Sequence, residues 1–351
     1  MKSLECEHLV VGAGLLGLAT ADHLLRRGAT GVLVVERAGS TNGGRPGEVG
    51  ALVRQGGLDH DALEERGRLL LAAGEEYLDV DYLREGAGYR RVGSLRIPSE
   101  DALPFESERL TVTQLEERYP ELVTGEQGAR FFAEDGTLDT LPLLSAFYSR
   151  VRGQSARFLF DAELGDFDEQ GETVRFTAGG RSGSASRVYL TAGAENLRML
   201  PALGCRHEWC LEQVHSFRIT TPTTSGPVIW LPERRTLLLP LDEREWEVEV
   251  AVDGRLGVEA AVDWTLLEAM RREEGARFPW LLESEVKRAR VLPRLAFDAT
   301  DPVLVSRGGR IAVAGAFGTH GLGLFPAVAE CLAARGLAPL AESGGLLEEG
   351  L

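Results

Sequence analysis

The sequence predicts an α/β fold: a parallel sheet with a phosphate-binding turn, joined to a second, mostly antiparallel β-sheet. Three observations predict it. Residues 8–37, HLVVGAGLLGLATADHLLRRGATGVLVVER, read as strand, glycine turn, helix and strand. Two more strand-to-glycine turns follow far downstream, near residues 193 and 315. Residues 206–257 shift to the short alternating pattern of an antiparallel sheet.

The first unit places a strand at 8–11, a helix at 15–27 and a second strand at 32–35. Gly12, Gly14 and Gly17 give G-x-G-x-x-G. The first glycine permits the tight turn, the second lets backbone approach a pyrophosphate, and the third brings helix and strand together. Leu15 and Leu16 open the helix, whose unpaired N–H groups face the phosphates. Glu36 ends the second strand, where a carboxylate accepts both hydroxyls of an adenosine ribose. The unit therefore predicts a Rossmann-like site for an ADP-containing dinucleotide. Glu36 disfavours a 2′-phosphorylated one, because like charges would meet.

Further along, 39–57 is a Gly- and Arg-rich loop suited to wrapping a bound cofactor, or a plain surface loop. The pattern predicts helices at 58–78, 113–119, 138–151 and 264–272. Thr111 or Thr113 caps the second of these and Pro120 stops it. Strands are expected at 89–97 and 157–160, and a ribbon pairs 165–167 with 173–176. RVYLTAGAEN, 187–196, is a strand ending in a close backbone approach. Strands at 236–240 and 246–252 and an extended run at 286–295 belong to the antiparallel part. The chain then runs strand, glycine-rich loop and helix through RIAVAGAFGTHGLGLFPAVAECLAARG, and its last residues are expected to fray.

A chain of 351 residues fits one large or two interwoven domains. A hydrophobic fraction of 44% is ordinary for a globular protein, and a net charge of −16 repels nucleic acid. No apolar run is long enough to span a membrane, and the first strand starts too early for a signal peptide. Cysteines at 6, 205, 210 and 331 form no dense framework, so a reducing cytoplasm is the expected home. Cys205 and Cys210, with His207 and His215 nearby, lack zinc-knuckle spacing and a second cysteine pair, so no metal is expected. The charge leaves the oligomeric state open.

The three glycine turns decide between cofactors. A nicotinamide dinucleotide needs only the first. A flavin is larger and buried, and needs later segments to close over its ribityl chain and ring, which favours FAD.

These motifs resemble the D-amino-acid oxidase superfamily of FAD-dependent oxidoreductases, in its sarcosine oxidase- and glycine oxidase-like branch. The resemblance spans nearly the whole chain. It rests on the opening unit with Glu36, on STNGGRPGEVGALVR, on VYLTAGAENLRML and on AGAFGTHGLGLFPAVAE. It implies a glutathione reductase-type FAD-binding domain from residues 1–78, 137–205 and 295–341. A substrate domain of mostly antiparallel β-sheet would take 79–136 and 206–294, with a tail at 342–351. Arg37, Ser40 and Thr41 would lie along the adenosine diphosphate, beside Gly43 and Gly44. Leu164 would offer backbone to the adenine, while Ala192, Gly193 and Gly315 pack on the cofactor. Gly318, His320, Gly321 and Leu322 would bring N–H groups to the ring's pyrimidine edge, helped by a helix starting near Phe325.

The resemblance implies oxidation of the C–N bond of an amino acid or a primary or secondary amine, with hydride transfer to flavin N5 and dioxygen or another electron acceptor downstream. The departures from the branch matter. KRARVLPRL lacks its flavin-anchoring cysteine, so the FAD is expected to be non-covalent. The branch's oxygen-activating lysine is missing. The chain has only Lys2 and Lys287, and EWEVEVAVDG puts Glu247 or Glu249 in its place. Gly323 replaces a further lysine that helps bind the substrate carboxylate.

Arg54 matches the branch's carboxylate clamp, or is an exposed loop arginine. Arg45 and Glu48 share its loop, where Glu48 receives a substrate amine or pairs with Arg45. His320 serves through its backbone or its ring. Arg290 and Arg294 line a pocket floor or form strand-edge pairs. His215 and Tyr89 read as core or edge residues. The alternatives are a dehydrogenase of an amine or 2-hydroxy acid using another acceptor, a non-catalytic flavin-binding subunit of a complex, and a nicotinamide dehydrogenase.

Overall fold

The computed structural model describes residues 3–41, 50–53, 89–97, 107–122, 127–203, 209–222, 226–255, 260–296, 303–305, 309–315, 317–318 and 321–334, with backbone alone at 50–53 and 303–305. The chain begins with β1 (Leu4–Val11), α1 (Leu15–Arg26), β2 (Val32–Val35) and β3 (Gly50–Val53). Next come β4 (Ser94–Arg96), β5 (Glu108–Leu110), α2 (Val112–Arg118), β6 (Ala129–Phe132), β7 (Gly136–Asp139) and α3 (Thr140–Gly153). Then follow β8 (Arg157–Leu159), β9 (Leu164–Gln170), β10 (Thr173–Ala178), β11 (Arg181–Leu190) and α4 (Asn196–Met199). The rest is β12 (Cys210–Thr220), β13 (Val228–Leu231), β14 (Thr236–Pro240), β15 (Glu245–Asp253), α5 (Trp264–Glu274), β16 (Glu285–Ala296), β17 (Val303–Val305), β18 (Ile311–Ala314) and α6 (Gly321–Ala334).

Two eight-stranded sheets result. The first runs β17-β18-β11-β1-β2-β8, and all its neighbours are parallel except β17 against β18. β11 is shared: its first half pairs antiparallel with β10 of the β9–β10 ribbon, its second half parallel with β18. In register, Val11 meets both Val35 and Leu190, Leu190 meets Val313, and Val35 meets Leu159. The carboxyl ends of five parallel strands therefore share one edge. The second sheet runs β16-β12-β15-β14-β13-β4-β6-β5, antiparallel throughout except β13 against β4.

The cores explain the sequence patterns. The parallel strands are apolar run after run because both their faces are covered. Val10, Val34 and Tyr189 pack under α1, α3 and α6, with Leu18, Phe147 and Val328. Leu9, Val11, Leu33 and Val35 face the other way, with Val188 and Leu190, against Phe176 of the ribbon and Trp209 and Leu295. The second sheet alternates because one face alone forms its main core: Phe217, Ile219, Trp246 and Val248 pack against Leu115 of α2 and Leu267 and Met270 of α5.

Sequence and structure differ where tertiary contacts override a local pattern. Of the strand expected at 89–97, only Ser94–Arg96 forms, because Gly93 has φ +72°, and a Cβ there would lie 2.4 Å from the Phe131 ring. The helix expected at 138–151 begins two residues later. Residues 136–139 pair with β3, and Asp139 caps the helix by accepting from Leu141 N–H at 3.0 Å. Thr111, not Thr113, caps α2, in a capping box with Gln114. The last helix starts at Gly321 rather than near Phe325, with Pro326 inside it. The helix expected at 58–78 lies outside the described residues.

One buried charge ties the helical layer together. Asp22, fully buried on α1, pairs with Arg26 at 3.0 Å and with Arg150 of α3 at 2.9 Å, and accepts from Gln154 at 3.1 Å. Asp22→Ala leaves two guanidiniums facing each other across that interface. It is expected to cost about 3 kcal/mol, read as a lower midpoint in urea unfolding.

Candidate functional site

The shared edge of the parallel sheet carries all three glycine turns. Gly12 follows β1 with φ +100°, and a Cβ on it would lie 2.9 Å from the Thr191 carbonyl. Gly17 tolerates nothing: its Cβ would stand 2.0 Å from the Gly12 carbonyl oxygen and 2.7 Å from the Thr191 hydroxyl. Gly14 differs. A Cβ there meets nothing within 4 Å, so open space lies in front of it. As the N-cap of α1 it supplies no side-chain acceptor, and the first turn holds no acid. The positive end of the helix, with the N–H groups of Leu15, Leu16 and Gly17, is therefore left for an anion.

Glu36 stands beside this turn. One carboxylate oxygen accepts from Ala13 N–H at 2.8 Å and the other from Ala38 N–H at 2.9 Å. Two of about four lone-pair positions are thus used for orientation, and two remain for hydroxyls of a ligand. Arg37 pairs with Glu195 at 3.2 Å across the end of β1. Ser40 is exposed and Thr41 buried. Leu164 opens β9, opposite Ala178 in the ribbon.

The second and third turns are stitched to the first. Thr191 donates both its N–H, at 2.9 Å, and its hydroxyl, at 2.8 Å, to the Val11 carbonyl. Asn196, fully buried, accepts from Ala192 N–H at 3.0 Å and donates to the Ala314 carbonyl at 2.9 Å. Gly193 has φ +60° and faces open space; Gly315 lies against Asn196, and Gly318 has φ +54°. Gly321 and Leu322 form the first turn of α6, which contains no acid. Arg45, Glu48, Arg54, Gly43, Gly44 and His320 lie outside the described residues.

The second sheet meets this edge at the end of β16. Leu295 packs into the core below the turns, and a Cβ on Gly318 would lie 3.9 Å from the Ala296 Cα. β3 lies between α6 and β14. The sheet face away from its main core is charged. Arg290 pairs with Glu247 at 2.9 Å, and Ser216 donates to the same carboxylate. Arg294 pairs with Glu212 at 2.8 Å and reaches Glu249 at 3.7 Å, and Arg235 joins Glu212 to Asp253. Sequence reasoning left open pocket-floor or strand-edge roles for Arg290 and Arg294; both hold buried carboxylates in cross-strand pairs.

Burial pushes Glu249 up to about 7; Arg294 opposes this, Glu247 adds to it and Arg290 opposes it. Burial would also raise Glu212, but Arg294 and Arg235 outweigh it and hold it below the ordinary carboxylate range. His215 accepts from Asp263 N–H at 3.1 Å, and burial lowers its pKa, so it stays neutral and structural. Tyr89 donates to the Glu134 carbonyl at 2.9 Å. Among the described residues, no three His, Cys, Asp or Glu are grouped to hold a metal ion, and no helix is long and apolar enough to cross a membrane.

The family model for FAD-dependent oxidoreductases of the DAO type matches residues 7–335, nearly the whole chain. The chain belongs to this family. It is an FAD-dependent oxidoreductase. No curated protein matches the sequence. Among solved structures, glycine oxidase from Bacillus cereus ATCC 14579 is similar at a TM-score of 0.81 and 16% identity, covering 99% of each chain. Iminodiacetate oxidase from Chelativorans sp. BNC1 follows at 0.75 and 21%, covering 95% of each chain. L-proline dehydrogenase from P. horikoshii scores 0.76 at 16%, covering 95% of this chain and 93% of that one. At these identities the likeness is one of fold.

The residues present fit the family's cofactor. The open space at Gly14, the uncapped start of α1 and the spare lone pairs of Glu36 suit a pyrophosphate and a ribose in sequence along one edge. Thr191, Asn196, Ser216 and Glu212 escaped sequence reasoning. Thr191 and Asn196 did sit inside the quoted VYLTAGAENLRML, as the polar residues flanking Ala192 and Gly193.

Asn196→Ala would leave the Ala192 N–H and the Ala314 carbonyl without partners. It is expected to cost about 2–4 kcal/mol and to release FAD at lower temperature, seen as rising flavin fluorescence in a thermal scan. Glu249 gives a second expectation. Its pKa is raised on folding, so the unfolded chain loses this proton first as pH rises. Stability should fall between pH 4.5 and about 7, by about 3 kcal/mol at most, and level off above. Urea unfolding across that window should show the slope in the wild type, and Glu249→Gln should remove it.

Proposed function

We propose that this protein oxidises the C–N bond of a small amino acid or amine. The carrying observation is the meeting of the open, uncapped glycine edge with a charged sheet face that holds a carboxylate poised near neutrality. The similar solved structures, two oxidases and a dehydrogenase named for amino acids or an imino diacid, support the substrate class. In this reading residues 1–78, 137–205 and 295–341 bind FAD, while 79–136 and 206–294 shape the substrate site.

The chain's own residues divide the work. Gly12, Gly14, Leu15, Leu16 and Gly17 hold the pyrophosphate, and Glu36 the ribose. Arg37, Ser40, Thr41, Gly43, Gly44 and Leu164 follow the adenosine half; Ala192, Gly193, Gly315, Gly318, His320, Gly321 and Leu322 follow the flavin half. With no anchoring cysteine in KRARVLPRL, the attachment is non-covalent. Bound there, FAD would supply the hydride acceptor for oxidation of the carbon beside the nitrogen. In this reading Arg54 and Arg45 take the substrate carboxylate and Glu48 the amine. Glu249 is the group suited to holding the proton that an ammonium gives up before oxidation.

A second reading concerns the acceptor. The branch resembled here activates dioxygen with a lysine, and this chain has Glu247 and Glu249, both buried, on the corresponding strand. Carboxylates oppose build-up of negative charge on oxygen, which favours an acceptor other than dioxygen.

Anaerobic mixing of the yellow protein with N-methyl, cyclic, D- and L-amino acids, followed by air, tests both readings. At least one amine should bleach the flavin, and the colour should return slowly in air. Rapid recolouring would overturn the reading on the acceptor alone. Absence of bleaching by every amine would overturn the amine-oxidising reading.

A further inference from the structure

We propose that Arg294 is shared between Glu212 and Glu249, turning towards Glu249 when that carboxylate is charged, so that Arg294, Glu212 and Arg235 are positioning residues for proton uptake by Glu249. This rests on the amine-oxidising reading above, in which Glu249 takes the proton of the substrate ammonium.

Strand register brings these groups together. Glu212 on β12 stands opposite both Arg294 on β16 and Asp253 on β15, and Ser216 stands opposite both Arg290 and Glu249. Opposed residues, and residues two apart on one strand, share a face, so all six lie on one side of the sheet. Ala296 lies on that side too, and its Cα would be 3.9 Å from a Cβ on Gly318 in the third glycine turn. Arg294 is two residues away, about 7 Å along the strand. The charges thus alternate from beside the cofactor edge outward: Glu249, Arg294, Glu212, Arg235, Asp253.

Arg294 is unevenly divided. Its Nε donates to Glu212 Oε2 at 2.8 Å, whereas its Nη1 stands 3.7 Å from Glu249 Oε2, beyond hydrogen-bond reach. Glu212 has a second arginine. Arg235, at φ +48° ahead of β14, donates to Glu212 through one nitrogen and to Asp253 through another at 2.7 Å. Ala251 N–H donates to the Arg235 carbonyl at 3.1 Å and fixes that turn. Glu212 therefore keeps a charged partner when Arg294 leaves it.

A guanidinium does not give up its proton, so the group that changes charge is the less well paired carboxylate. That group is Glu249, which is 8% exposed. Glu247 stands beside it on β15, Ser216 is opposite on β12 and Leu237 opposite on β14. Arg294 and Arg290 act on it from β16. Arg218, paired with Glu245, and Arg288 lie one step further on, at Glu247. β3, which packs against β14, has no titratable residue between Gly50 and Val53. Burial pushes Glu249 up to about 7, while its two arginines hold Glu212 below the ordinary carboxylate range against burial. Charged Glu249 draws Arg294 towards itself, and on protonation it releases the guanidinium to Glu212. In that step an N–H bond of the ammonium breaks, its electron pair stays on nitrogen, and an O–H bond forms on Glu249.

The test is an infrared titration of the FAD-loaded protein. The carbonyl stretch of protonated Glu249, identified by its loss in E249Q, should titrate with a midpoint of about 7. E212Q should lower that midpoint by at least one pH unit, because Arg294 turns to Glu249. R235Q should raise it, because Glu212 then keeps Arg294. R294Q should raise it too, and E212Q should have no further effect in the double variant. The pH profile of anaerobic bleaching by an active amine should move with the infrared midpoint. Flavin content and circular dichroism establish that the variants fold. Should R294Q fail to fold, the opposed shifts of E212Q and R235Q decide.

A midpoint unmoved by E212Q and R235Q would overturn the sharing of Arg294, as would an E212Q shift that survives in the double variant. Infrared midpoints that move while the bleaching profile stays fixed would overturn the role in proton uptake. If no amine bleaches the flavin, the amine-oxidising reading and that role fail together. The infrared titration still decides how Arg294 is divided.

Discussion

Everything at the cofactor edge depends on one close approach, that of α1 to the end of β1. It exists because residue 17 has no side chain. A single methyl would stand 2.0 Å from a backbone oxygen, far inside contact distance, so helix and sheet would have to part. That approach seats the Gly12 turn against Thr191, which is bonded to Val11. From Thr191 the order passes through Asn196 to Ala314, and so to the third turn. The three turns act as one surface because two polar side chains span the gaps that backbone pairing leaves open at the strand ends.

Much of this edge was legible in the sequence, and the reason is locality. Gly12, Gly14, Gly17 and Glu36 sit within 25 residues, and each is needed for a backbone reason that any αβ packing would impose. The helix and both strands follow from hydrophobic period alone. Thr191 and Asn196 carry no such mark, since their partners are 180 and 118 residues away. The second sheet was legible as a pattern but not as a site. Arginines at 290 and 294 and glutamates at 212, 247 and 249 become pairs only once β12 lies between β15 and β16 in a particular register. The misplaced strand at 89–97 has the same origin: its alternation is real, but Gly93 turns the chain away under the Phe131 ring.

The two sheets also illustrate two treatments of charge. In the helical layer, Asp22 is buried but surrounded, with two arginines and an amide taking its lone pairs. On the second sheet Glu249 has, among the described residues, one ion pair, at 3.7 Å, beside another carboxylate. The first arrangement settles a charge, whereas the second leaves it poised between states. Groups of the second kind gather where protons move, and a fold carries them as a cost tolerated for chemistry.

The chain order of the parallel sheet has a consequence for how the protein is made. β1 comes first in synthesis, but its neighbour β11 emerges some 180 residues later, and β18 and α6 only as residue 334 is reached. A ribosome adding about 5–20 residues per second spends about 15–60 seconds between the first glycine turn and the third. Throughout that interval the nascent βαβ unit has one flank of β1 uncovered and no second or third turn. The full cofactor edge is thus a late event in the life of each molecule, set by long-range pairing rather than by local helix formation. Loading of the flavin is timed by the last strand to arrive.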